Sequence, residues 1–498
     1  MSQAPRLLVI GLDAVEKDLV LQWCAAGRLP TFRRLLRMAT WGLTSGPPGM
    51  TAGAVWQTLL TGASPARHGR HNARQLRPGT YDTFRFLPED LRSEPFWVPF
   101  SRAGRRLALI DVPHGALSEQ INGIQVVGWT AHDPERGFAT VPSTLASEIR
   151  DRYGEDPVGL CDHLRLTTQA DYATFRDALV QKIAKKVAFT RDCATRERWD
   201  LLMTVFGESH CVGHQCWHLH DPSHPRHDRR IAQALGDPIL AVYEALDTAI
   251  GDLLALAGPD TMALVFSSHG MGPFYNGDHL FADVLHRLGH IPPPSAPGAG
   301  WRVMRWAWRR LPKAVQAQWA PAQRATIDRL WPRFDPRSAC FPILNAEVFG
   351  AIRVNLVGRE PDGRIHPGAA YDAFCATLAQ DLCDLVNADT GAPAVRRVLR
   401  TADLYQGPQL DALPDLLVEW NCDAPLNTVA SSKIGTLKRP FTSHRSGHHR
   451  DQAIFFVTGS GLVPRRIDGV ASIMDIVPTF ARELGVALPD VDGRPIRL

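Results

Sequence analysis

The sequence predicts an α/β protein: a large, mostly parallel sheet sandwiched by helices, with a smaller cap built from insertions. Three observations carry that expectation. Short apolar runs rich in Val, Ile and Leu recur along the chain, amphipathic helical patterns lie between them, and unusual polar residues stand just after several of the runs. Near-continuous runs of about four to eight apolar residues read as strands buried on both faces. Their alternation with helices is the pattern of a parallel sheet.

Taken in order, the predicted strands are Leu7–Leu12, Leu107–Val112, Ile124–Gly128, Leu201–Phe206, Met262–Ser267, Leu416–Trp420 and Ile454–Val457. Predicted helices include Asp18–Ala26, Ala52–Leu60 and Pro238–Ala257, the last with Ile239, Val242, Leu246, Ala249 and Leu253 on one face. The rhythm breaks at Pro292–Gly300, a Pro- and Gly-rich loop. A basic stretch follows, Trp301–Lys313, with Arg302, Arg305, Arg309, Arg310 and Lys313 and no acid. Trp301, Met304, Trp308 and Leu311 fall there at helical spacing. That segment reads as a packed cap helix with a solvated basic face, or as a lid touching an anionic surface.

At roughly 150 residues per domain, the 498 residues hold two or three domains' worth of core. The expected division is core over 1–80, 136–284 and 346–498, with cap insertions over 81–135 and 285–345. With 45% hydrophobic and 21% charged residues, the composition is that of an ordinary globular protein. A net charge of +4 is too small to make nucleic acid the main partner. Nine cysteines without a CxxC pair exclude a zinc ribbon and a disulfide framework, and fit a reducing compartment. The first apolar run ends in Asp13 instead of a cleavage site, and no stretch approaches the ~20 apolar residues of a membrane span. A cytoplasmic protein is therefore expected.

Polar residues gather at the ends of the predicted strands. Asp13 follows the first, His210 and His214 follow Leu201–Phe206, and Ser268 and His269 follow Met262–Ser267. Ligands of open α/β sheets bind at the carboxyl ends of strands. If HCVGH opens a helix, His210 and His214 share one face, as a metal ion requires. Glu208 is a further ligand candidate or a solvated turn residue, and His218, His220, His224 and His227 crowd the same neighbourhood. Thr51 stands where the N-cap of the Ala52–Leu60 helix belongs. A hydroxyl there caps the helix, or attacks an anion held on its amides.

GLDAVEKDLV at 11–20, PPGMTAGAVWQTLLTGASPARHG at 47–69, HCVGHQCWH at 210–218, SSHGMG at 267–272, GHHR at 447–450 and SIMDIVPTFARELGV at 472–486 stand in a telling order. Together with RVNLVGREPDGRI at 353–365 and LPDLLVEW at 413–420, they resemble the alkaline phosphatase superfamily, in its type I phosphodiesterase/nucleotide pyrophosphatase branch. The resemblance implies hydrolysis of phosphate esters with two metal ions, usually zinc, and a Ser or Thr nucleophile. It implies Asp13 and His269 as ligands of the metal beside the nucleophile, and His214 and His449 as ligands of the other. His448 replaces His449 if the register slips by one. Asn72 matches the phosphate-binding asparagine.

Three departures modify these expectations. His210 stands in place of an aspartate, which makes a three-histidine site of His210, His214 and His449. Ser268 stands where the family has the Asp of an Asp-His pair. Counting back from Thr61-Gly62, the nucleophile position falls on Ala52, so Thr51 attacks only with a one-residue shift in the loop. With so few carboxylates to offset two dications, one firmly bound zinc and a second, weak or absent, are expected. The leading function is a metal-dependent hydrolase of a phosphodiester-type or related anionic ester in a small molecule, with Thr51 as nucleophile. The alternatives are a mononuclear three-histidine zinc hydrolase using zinc-hydroxide, and a catalytically weakened binding or regulatory protein. Arg67, Arg70 and Arg74, close to Asn72, either help hold an anion or form a solvated basic loop.

Overall fold

A computed structural model describes residues 5–131, 137–159, 161, 164–293, 303, 306–308, 310, 333–345 and 348–498. Its main sheet has nine strands, in the order Arg465–Ser472, Thr40–Ser45, Gln452–Thr458, Met262–Ser267, Leu7–Leu12, Leu201–Phe206, Leu107–Ile110, Gly123–Val127, Ala139–Val141. The three strands at its centre are parallel and buried along their whole length. Side chains alternate between faces along a strand, and the packing follows: Leu8, Ile10 and Leu12 enter one hydrophobic cluster, Leu7 and Val9 the other. Helices Lys17–Ala25, Gln169–Arg196, Glu208–His220 and Pro238–Leu254 cover the first face. Helices Thr51–Thr61, Trp97–Arg102 and Ile476–Leu484 cover the second. The α/β sandwich expected from the apolar runs is what forms.

Two features depart from the expected layout. Leu107–Ile110 and Gly123–Val127, counted above with an insertion, are strands of the main sheet. Leu416–Trp420 belongs instead to a separate antiparallel sheet, with Cys340–Ile343, Phe349–Val354 and Val395–Arg400. That sheet has its own core with the helix Ala369–Cys383, so much of 346–438 lies outside the main sandwich. A buried apolar run shows that both faces of a strand are covered, not which sheet it joins. In the basic stretch, Trp301, Arg302, Met304, Arg305, Arg309, Leu311 and Lys313 lie outside the described residues. Among the described residues, no helix is long and apolar enough to cross a membrane.

Candidate active site

The central strands deliver Asp13, the helix opening at Glu208, and Ser268–His269 to one edge of the sheet. From the end of Met262–Ser267 the chain runs into a short strand, Gly270–Pro273, paired antiparallel with Gly447–Arg450. His449 stands opposite Met271 and His448 opposite Gly272. Neighbours along a strand face opposite ways, yet both rings approach the helix, and His448 lies edge-on to His214 with centroids 5.3 Å apart. His449 is the one that brings Nε2 within 3.0 Å of His214 Nε2, while the His448 ring also packs on Phe274 with centroids 4.0 Å apart.

His210 and His214 project from one face of Glu208–His220 and meet His449. His214 Nε2 lies 3.1 Å from His210 Nε2 and 3.0 Å from His449 Nε2, and all three rings are buried. The Gly447 carbonyl, 2.7 Å from His214 Nδ1, accepts only; it fixes the proton on Nδ1 and leaves the Nε2 lone pair facing the other rings. Three imidazole nitrogens on a tetrahedral zinc at 2.0–2.1 Å would stand roughly 3.3 Å apart. The residues therefore fit that ion. Glycine makes the approach possible: a Cβ on Gly447 would lie 2.1 Å from the Gly213 carbonyl oxygen.

Beside this set, the Ser268 hydroxyl donates to Asp13 Oδ1 at 2.8 Å and lies 2.8 Å from His269 Nδ1. Asp13 Oδ1 also accepts from Trp56 Nε1 at 3.1 Å. With its one proton given to Asp13, Ser268 accepts from His269 Nδ1–H, and Nε2 is left as the ligand-type nitrogen of His269. The His269 ring meets His449 edge-on at 4.4 Å. Asp13, Ser268 and His269 thus come together as expected, but the single carboxylate is engaged by two donors. This group fits a dication less well than the three histidines do.

Thr51 is the first residue of its helix, not the cap. Met50 is the N-cap residue, and among the described residues no side chain caps the first-turn amides. The Thr51 hydroxyl instead donates to Asp451 Oδ1 at 2.5 Å. Asp451 follows the strand that carries His449. Nothing in the sequence flagged Asp451, because 400 residues separate the partners. Asn72 lies on the turn packed on the same helix: a Cβ at Gly53 would meet the His71 carbonyl oxygen at 1.9 Å and Asn72 Cα at 2.9 Å.

Other candidates have different partners. Glu208 ion-pairs with the buried Lys186 at 3.8 Å, away from the histidine set. His218 bonds Ser446, His220 bonds Asp237, His224 stacks on Tyr275, and His227 bonds the His218 carbonyl. Arg67 pairs with Asp492 at 3.1 Å, and Arg70 donates to the Gly53 carbonyl at 3.1 Å. Unanticipated are Cys161 and Cys211, whose sulfurs lie 2.6 Å apart and which group with His210 as ligand-type atoms.

The model of the family described as type I phosphodiesterase / nucleotide pyrophosphatase matches residues 7–329. No curated protein matches the sequence. Among solved structures, the chain is similar to phosphonoacetate hydrolase from Sinorhizobium meliloti 1021 in complex with phosphonoformate. The two are 16% identical, with 97% of this chain and 96% of that one covered and a TM-score of 0.51. It is also similar to the wild-type alkaline phosphatase PafA: 13% identity, 99% and 98% coverage, TM-score 0.51. At such identities these two likenesses speak for the fold.

Proposed function

Because the chain belongs to the type I phosphodiesterase/nucleotide pyrophosphatase family and is a hydrolase of that type, we propose that it cleaves a phosphodiester-type bond in a small molecule, with Thr51 as nucleophile. The observation that carries this reading is the convergence of three buried Nε2 atoms, from His210, His214 and His449, within reach of one ion. Zinc suits an all-imidazole set. When bound, it supplies positive charge to the phosphoryl group.

The chain's own residues account for the rest. Asp451 accepts from the Thr51 hydroxyl at 2.5 Å, much closer than the Pro47 carbonyl at 3.4 Å, and so orients it. Uncapped amides at the start of Thr51–Thr61 favour an anion beside that hydroxyl. Asn72 adds a side-chain amide to a phosphoryl oxygen. Attack forms the bond from Thr51 Oγ1 to phosphorus and breaks the bond to the leaving alcohol; water then releases the phosphoryl group from the threonine. Asp13, Ser268 and His269, with one carboxylate among them, hold a second ion weakly.

The test is a metal analysis paired with aryl phosphodiesters, phosphomonoesters and sulfate esters. The expected result is about one zinc per chain and faster turnover of a diester than of the matching monoester. Inactivity on every ester with zinc bound would overturn the reading and leave a binding role for the same fold.

A further inference from the structure

The helix Glu208–His220 turns two faces toward its neighbours. One carries His210 and His214. The next, one residue on, carries Cys211 and Gln215, again four apart and so stacked on one face. Gln215 Nε2 donates to the Cys161 carbonyl at 2.9 Å and to the Leu164 carbonyl at 3.4 Å. These bonds hold the backbone at Cys161 against the helix, and one turn away the Cys161 and Cys211 sulfurs lie 2.6 Å apart. Both cysteines are buried, and neither is in a disulfide in this structure.

His210 groups with the two sulfurs as a ligand-type atom, but the sulfurs stand too close to share an ion. Two thiolates on one tetrahedral zinc, each about 2.3 Å from it, would lie roughly 3.8 Å apart. The arrangement is nearer to a bond between the sulfurs than to a metal between them. The buried Lys182 ammonium, paired with Asp156 at 3.0 Å, is within electrostatic reach of both sulfurs. A cation there stabilises the negative charge a sulfur carries as it attacks. Burial selects a small, uncharged oxidant over a bulky disulfide reagent.

We propose that Cys161 and Cys211 are an oxidation-sensitive pair, closed to a disulfide by hydrogen peroxide and reopened by a dithiol, which becomes the disulfide in its place. One sulfur attacks a peroxide oxygen as the O–O bond breaks, giving a sulfenic acid and one water. The other sulfur then attacks the first, forming the S–S bond and releasing a second water. The two thiols give up two electrons and two protons, and the peroxide takes both. The bond spans 50 positions of chain, enclosing the helix Gln169–Arg196 and the central strand Leu201–Phe206. It staples the helical turn next to His210, so oxidation tightens the helix on which two of the three histidines sit. The inference concerns two thiols and does not depend on the zinc or hydrolase reading.

Peroxide treatment of the full-length protein as purified, followed by alkylation of the remaining thiols in denaturant and peptide mass analysis, tests it. The expected product is a Cys161–Cys211 linked peptide that dithiothreitol separates. In Cys161→Ala and in Cys211→Ala the remaining cysteine should proceed to sulfinic acid, because no second sulfur intercepts it. Hydrogen exchange across Glu208–His220 should slow about tenfold in the oxidised wild type and not respond to peroxide in the variants. If a variant does not fold, linkage and exchange in wild type decide the matter. Both thiols still alkylated after peroxide, linkage to other cysteines instead, or a linked pair with unchanged exchange in the helix would each overturn the proposal.

Discussion

Ser268 donates its hydroxyl proton to Asp13 across 2.8 Å. A neutral side chain thus satisfies a carboxylate that would otherwise need a cation. Replacing it by aspartate reverses the local balance, since two unit charges about 4 Å apart repel by ~4 kcal/mol at an effective dielectric of 20. Metal-free Ser268→Asp should melt below wild type, and zinc should raise it by more than it raises wild type. Metal content should climb from about one to about two per chain. Unchanged stoichiometry in that variant would show that the second site has been lost for another reason.

His214 sits at the centre of its cluster, within 3.1 Å of both partners. His214→Ala should drop zinc from about one per chain to under a tenth, with the circular dichroism spectrum unchanged. His448→Ala is the matched control, since that ring packs on Phe274 and on the edge of His214 without joining the three grouped ligand nitrogens. Equal zinc loss in the two variants would contradict the assignment of His449 as the third ligand.

Thr51→Ala removes both the proposed nucleophile and the donor to Asp451. A buried acceptor left without its donor costs about 1–3 kcal/mol, so urea unfolding should register that loss. Turnover should fall by several orders of magnitude, with zinc retained. Thr51→Ser keeps the hydroxyl and should keep part of the rate. Stability loss with an undiminished rate would remove Thr51 from the chemistry.

Two fully buried histidines outside the three-histidine set contribute to the acid limit. Burial, then the Arg70 charge, pushes His68 down to about 3. Burial, then Arg353 and Arg70, pushes His71 down to about 3. The folded protein keeps both neutral, while the unfolded chain protonates them below their ordinary value of 6.5. Their contribution is complete above that value and is lost as pH falls toward 3, at about 1.4 kcal/mol per pH unit per group. Unfolding free energies measured at pH 7.5, 6 and 5 should decline accordingly, and His68→Gln should flatten the decline. A stability that stays level from pH 7.5 to 5 would refute this.

Gly447→Ala should cost about 1–3 kcal/mol or more and lower zinc affinity, because the new methyl would collide with the Gly213 carbonyl. A fully zinc-loaded variant of wild-type stability would mean that helix and hairpin can separate without harm.

The parts of this arrangement that were legible in the sequence are those set by local periodicity. Leu7–Leu12 and Met262–Ser267 read as strands because burial on both faces leaves an unbroken apolar run, and the residues after them had to lie at the sheet edge. The spacing of His210 and His214 encodes a shared helix face. Thr51 with Asp451, and Cys161 with Cys211, were not legible as pairs. Each depends on side chains converging from separate elements, and no local period records which strand end meets which helix. The sequence also allowed Thr51 a capping role, since its composition-based signal is the same whether the hydroxyl turns back to its own helix or outward to a distant carboxylate.

The histidine set joins a helix at 208–220 to a strand at 447–450. The ribosome therefore delivers its two ends at different times. A nascent chain that has not yet reached Gly447 carries two imidazoles on a helix, with no third ligand and no hairpin partner for Gly270–Pro273. The proposed coordination shell can close only after seven of the nine strands of the main sheet have been synthesised. If the proposed site holds zinc, capture marks a chain that has passed Arg450, and a truncation before 447 would be recognisable by its failure to retain zinc even where the amino-terminal strands had already folded.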